Sequence, residues 1–256
     1  MGGRTPDRID GEVLAVVGGM AIGVFAVAMA ERHVAALRGL DGLLVATLFL
    51  VTAIALARRE PDGLRRYGID LGGLLEAPAA DDERPAGPLG LYDLARALRR
   101  ALPAGLRELG VAVAVALVVF PAFSVAYALW HQVGPPRSID LPPDLEAFAL
   151  SQVLVVALPE EALFRGYVQT RLADAHPPRH RVLGVRLSLL AWIGSAVLFA
   201  LVHLASDPRP DRLAVFVPGL LFGWLRAWRG GIGAAVLVHA MSNVLAEVLA
   251  RTLPIP

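Results

Sequence analysis

Cysteine and lysine are both missing from the 256 residues. Without cysteine the chain can form no disulfide of its own, no thiolate metal site and no cysteine nucleophile. Without lysine, all 24 basic side chains are arginine, and with abundant Ala, Leu and Gly this is the composition of a GC-rich bacterial genome. Three catalytic signatures are also missing: there is no HExxH zinc motif, no GxSxG nucleophile elbow and no obvious aspartate pair. Net charge is only +1, so the overall balance gives no reason to expect a nucleic-acid partner.

What the chain has in excess is apolar surface. It is 56% hydrophobic with mean hydropathy +0.58, above the roughly 45–50% of soluble domains. Charges cluster between long uncharged runs at 13–30, 42–57, 109–130, 147–159, 187–202, 213–225 and 230–246. A helix needs about 20 residues to cross the hydrocarbon core. The shorter runs reach that length by taking in a polar residue or a snorkelling arginine. The expected fold class is therefore all-α, a polytopic membrane bundle of about seven helices embedded in a lipid bilayer. Residues 1–108 read as two membrane helices plus a basic loop, and 109–256 as the helical core.

The first run ends in Ala28-Met29-Ala30, which resembles a signal-peptide cleavage site. Its length, and Asp7, Asp10 and Glu12 before it, favour a retained span. Residues 58–108 hold nine arginines, with a Pro- and Ala-rich linker at 76–88. From Tyr92 to Leu102 the pattern is amphipathic, with Leu94, Ala95, Leu98 and Leu102 on one face and arginines opposite. That suits a helix lying on an anionic membrane surface or an ordinary solvated helix. The positive-inside rule puts this segment, the N-terminus, the 171–186 loop and the 226–229 turn in the cytoplasm. The acidic 131–146 loop then lies outside, and the expected location is the inner (cytoplasmic) membrane.

Three polar constellations interrupt the apolar runs. Pro159-Glu160-Glu161 with Arg165 sits in the fourth run. Carboxylates in an apolar helix are expensive and imply function, unless they mark a solvated helix end. Glu161 and Arg165 have the i,i+4 order that favours an ion pair, which leaves Glu160, about 100° round the helix, free for another partner. Pro159 cannot donate a backbone hydrogen bond and disrupts the turn before it. His203 closes Phe199-Ala-Leu-Val-His203; alone it reads as an interfacial histidine. His239 and Asn243 share one face of the last run and need polar partners; alone they read equally well as packing glue. Together the three supply a general base, two imidazoles and an amide donor, the set that amide hydrolysis by activated water requires. A proton-coupled transporter or a non-catalytic membrane scaffold would use the same groups differently. One depth is awkward. Glu160 lies about 18 Å from the cytoplasmic end of a helix ending at Leu172, whereas His203 falls near the outer end of an outward-running span.

These motifs resemble those of the CAAX protease and bacteriocin-processing family of intramembrane peptidases. Its EExxxR motif matches Glu160-Glu161-Ala-Leu-Phe-Arg165, FxxxH matches Phe199 to His203, and HxxxN matches His239 to Asn243. The resemblance covers roughly residues 145–250, with the motifs in the family order. It implies an endopeptidase acting on a membrane-associated polypeptide. Glu160 would be the water-activating base assisted by His203, and His239 with Asn243 would form the oxyanion site. Glu161 and Arg165 would support Glu160 structurally. No cofactor is expected; a zinc-type divalent ion on Glu160, His203 and His239 is chemically reasonable, but a glutamate mechanism needs none. A prenylated substrate is not favoured for a bacterial chain.

Overall fold

The structure, a computed structural model, describes residues 5–75, 91–134 and 138–253. Its helices are α1 (Pro6–His33), α2 (Asp41–Ala57), the single turn α3 (Gly63–Arg66), α4 (Leu91–Trp130), α5 (Leu145–Ala175), α6 (Leu189–Ser206), α7 (Phe216–Arg229) and α8 (Gly233–Thr252). The chain is a multi-pass all-α membrane bundle. Each expected run becomes a helix, but among the described residues only α1, α4, α5, α6 and α8 are long and apolar enough to cross a membrane. At 17 residues α2 is an apolar helix short of span length. The 14 residues of α7 rise about 21 Å, against a core about 30 Å thick.

Three features depart from the sequence reading. The amphipathic 92–102 segment and the 109–130 run form one helix, α4, of 40 residues; at about 1.5 Å per residue it is close to twice the core thickness. The 171–186 loop contains an antiparallel hairpin, β1 (His180–Val182) and β2 (Val185–Leu187). Its tip puts Leu183 at φ 48° and Gly184 at φ 80°, as a two-residue turn between twisted strands demands. The awkward depth also resolves. Because α5 continues to Ala175 and α6 starts only at Leu189, Glu161 and His203 each lie 14 residues from those ends. The linker expected at 76–88 lies outside the described residues.

α5 is the central helix, packed by α1, α2, α6, α7 and α8, while α4 leans mainly on α8. It is not uniformly α-helical. Residues 152–157 and 162–168 form two wide, π-type turns on either side of Leu158–Glu161. A wide turn before Pro159 relieves the clash its ring makes with the carbonyl four residues back. At the far end of α5, Tyr167 and Arg171 donate to Glu12 of α1 at 2.7 and 3.0 Å. His176 lies 2.9 Å from Asp10. The acidic leader of α1 is thus tied into the bundle. Nearby, Tyr67 donates to Glu60, and burial together with that carboxylate pushes its phenol up to about 12.

α7 is bound to α5 and α6 through its own backbone. Arg165 Nη2 donates to the Gly219 carbonyl at 3.1 Å, Gln169 Nε2 to Gly223 at 2.8 Å, and Trp192 Nε1 to Leu220 at 2.7 Å. Residues 165 and 169 on α5 thus match 219 and 223 on α7, one i,i+4 step against another. The match depends on missing side chains. A Cβ on Gly219 would sit 3.0 Å from Arg165 Nη2, and one on Gly223 would sit 2.8 Å from Gln169 Oε1 and 2.9 Å from Trp192 Cδ1. Gly223→Ala is therefore expected to overpack this contact and cost about 1–3 kcal/mol. Thermal unfolding in detergent checks it: a melting point equal to that of the parent protein would show that α7 moves away at no cost.

Candidate active site

The site is assembled from the middle of α5, the last turn of α6, one face of α7 and the first half of α8. Glu161 is fully buried, with an imidazole and a guanidinium at the same carboxylate oxygen. His239 Nδ1 lies 2.9 Å from Glu161 Oε1, and Arg165 Nη1 lies 3.3 Å from the same oxygen. A carboxylate only accepts, so His239 donates from Nδ1 and turns Nε2 the other way. Nε2 faces Glu160 Oε2 across 3.7 Å, too long for a direct hydrogen bond. The two adjacent glutamates thus contact opposite edges of one imidazole.

Their surroundings differ. Glu161 and Arg165 side chains are both 0% exposed, whereas Glu160 is 14% exposed. Oε2 of each glutamate has no hydrogen-bond partner among the described residues, and a buried carboxylate oxygen without one is costly. Arg165 lies over the Phe199 ring at 4.2 Å and near Phe222 at 5.4 Å, contacts that supply cation–π attraction in place of solvent. Phe222 also stacks on His239, with centroids 4.6 Å apart and an interplanar angle of 13°. The rings therefore hold the guanidinium and the imidazole in fixed planes.

His203 joins through Phe199, which meets it edge-on at 4.5 Å and meets His239 edge-on at 6.1 Å. His203 Nδ1 donates to its own helix, to the Phe199 carbonyl at 2.9 Å. That bond fixes the tautomer, so the neutral ring presents Nε2 as an acceptor. Ser195 donates to the Phe164 carbonyl at 2.8 Å, which sets the level of α6 against α5. Phe199 lies one turn further along α6, near the level of Glu160, and His203 one turn beyond, about 6 Å higher. Asn243, the sole asparagine of the sequence, donates Nδ2–H to Gln152 Oε1 at 3.0 Å. Gln152 opens the first wide turn of α5. It was not singled out from the sequence; a polar residue eight positions before Glu160 on an apolar helix was the available signal.

Glu160, Glu161, Arg165 and His239 are thus in direct or near contact, His203 is one aromatic ring away, and Asn243 meets α5 through Gln152. Among the described residues no group of three His, Asp or Glu side chains is placed to hold a metal ion. Arg165→Leu should strip Glu161 of its cation and leave a buried charge uncompensated. The expected loss is about 3–5 kcal/mol, visible as reduced thermal stability; an unchanged melting point would show that Glu161 does not depend on Arg165.

Comparison with known proteins finds one family. Residues 142–245 match the model described as Type II CAAX prenyl endopeptidase Rce1-like. No curated protein and no solved structure matches. The matched segment runs from just before α5 to within α8 and contains every residue of the constellation above. Over that segment the chain is similar to the type II CAAX prenyl endopeptidases.

Proposed function

We propose that the chain is an intramembrane endopeptidase that cleaves a peptide bond in a membrane-associated protein or peptide, using water activated by Glu160. The observation that carries this reading is the asymmetry of the two glutamates: Glu161 is 0% exposed and held by His239 and Arg165, whereas the Glu160 side chain is 14% exposed. A base must lie within reach of water, and of the two carboxylates only Glu160 has exposed side-chain surface.

The other groups take roles that suit their free atoms. His203, with Nδ1–H spent on Phe199, offers an acceptor to help orient the water. Asn243 gives one amide hydrogen to Gln152 and keeps the second for the oxyanion. Two carboxylates and one guanidinium leave the buried cluster one negative charge in excess. A proton on His239 Nε2 balances it and makes that nitrogen the second oxyanion donor. Gln152 positions Asn243, and Glu161 with Arg165 positions His239. In the reaction the water proton passes to Glu160 as oxygen adds to the carbonyl carbon. The same proton then reaches the leaving amine as the C–N bond breaks. The orientation that fits has the N-terminus in the cytoplasm of the inner membrane, since Arg66, Arg226 and Arg229 gather at one end of the bundle.

Glu160→Gln keeps the shape and cannot take the proton. It should abolish cleavage of a reconstituted membrane peptide while leaving the fold and substrate binding intact. Asn243→Ala should slow turnover by about 10²–10³, the usual cost of one oxyanion donor. Gln152→Ala should slow it less and leave the Michaelis constant unchanged. Chelation should leave activity in place. Full activity in Glu160→Gln would refute the assignment, and zinc-restorable loss with chelator would turn Glu160, His203 and His239 into ligands.

A further inference from the structure

α7 has a second working face. Phe222 and the two glycines look toward the site, while Leu220, Leu221, Trp224 and Trp228 look the other way, across a gap to α4. The gap is a groove of about 870 Å³, closed at one side by Trp192 and the hairpin tip. None of the site carboxylates or imidazoles lines it. We propose that this groove holds one acyl chain of an anionic phospholipid, with the headgroup phosphate on Arg107.

Length, polarity and charge agree on that occupant. On the α4 wall the groove runs from Arg107 to Val119. These 12 steps rise about 18 Å, close to the ~15 Å of one leaflet of hydrocarbon. The interior makes little polar demand, because the indole N–H groups of Trp192 and Trp224 are already donated to the Leu220 and Val182 carbonyls, while Trp228 is exposed. The volume falls within the range of sites that hold small apolar ligands.

The mouth carries a net positive charge. Arg229 is neutralised by Glu108, with Nη2 2.8 Å from the carboxylate. Arg107 is exposed, and no carboxylate pairs with it among the described residues. From the mouth outward, Leu94, Leu98, Leu102 and Leu106 form an exposed stripe on α4 beside Arg99 and Arg100. Such a face belongs at the level of anionic headgroups.

The protein carries its own reporter. Three of its four tryptophans line the groove, and the fourth, Trp130, is 81% exposed at the far end of α4. In a Trp130→Phe background, indole fluorescence therefore reports the groove alone. The purified chain is reconstituted into phosphatidylcholine vesicles containing a minor fraction of phosphatidylglycerol. Bromine is carried on the chains of one lipid or the other at equal mole fraction. Brominated phosphatidylglycerol should quench about fivefold more effectively than brominated phosphatidylcholine, the enrichment one arginine supplies near an anionic headgroup. Arg107→Gln should make the two equal. Gly110→Leu fills the groove from a position where an added Cβ meets nothing within 4 Å, and should reduce quenching by both lipids with melting point unchanged. Equal quenching in the parent protein overturns the preference for an anionic lipid. Quenching indifferent to Gly110→Leu overturns the groove as the site. Indoles shielded from both lipids would mean that a second copy or another helix covers this face.

Discussion

The bundle depends on one buried carboxylate. Glu161 has no access to water, and its charge is tolerable only because His239 and Arg165 reach the same oxygen at 2.9 and 3.3 Å. Each partner is then fixed by something else. Arg165 reaches across to the Gly219 carbonyl and lies between two phenylalanine rings. His239 is stacked on one of those rings and presents its other nitrogen to Glu160. Three helices, α5, α7 and α8, are held in register by charges that would be unaffordable singly in an apolar bundle. The site is in this sense a by-product of satisfying Glu161.

Backbone plays as large a part as side chains. In hydrocarbon every carbonyl and amide must find a partner, and the wide turns of α5 change which groups those are. Ser195 donates to the Phe164 carbonyl inside the second wide turn. Arg165, Gln169 and Trp192 donate to three carbonyls of α7, whose glycines allow the approach. α7 is too short to span on its own, and these bonds give its backbone polar partners within the protein rather than in lipid.

The membrane class was legible because apolar runs of span length need no tertiary context. The three motifs were legible because each breaks such a run with groups that cost free energy in lipid. Other features were hidden for physical reasons. Gln152 is uncharged, and what makes it relevant is the wide turn that brings it to Asn243 across 91 residues. The pairing of His239 with both glutamates depends on helix rotation, which periodicity does not set to within a side chain. The hairpin carried a weak signal, Leu183-Gly184 between valines, because leucine is an uncommon residue at positive φ. The unity of α4 was obscured by Pro103, which reads as a break yet lies inside the helix.

The wide turns carry a consequence for how this chain can vary. Each takes in roughly one more residue than an α-turn does. Losing one residue inside a wide turn would let that turn relax to ordinary geometry and leave the flanking helix facing as before, whereas losing one from Leu158–Glu161 between them would swing everything on one side of the loss by about 100°. In the second case Gln152, Glu160, Glu161, Arg165 and Gln169 would no longer share their present neighbours, however well the new helix was hydrogen-bonded. Among relatives, gaps in an alignment should fall in the connections between helices or in the wide turns and spare Leu158–Glu161.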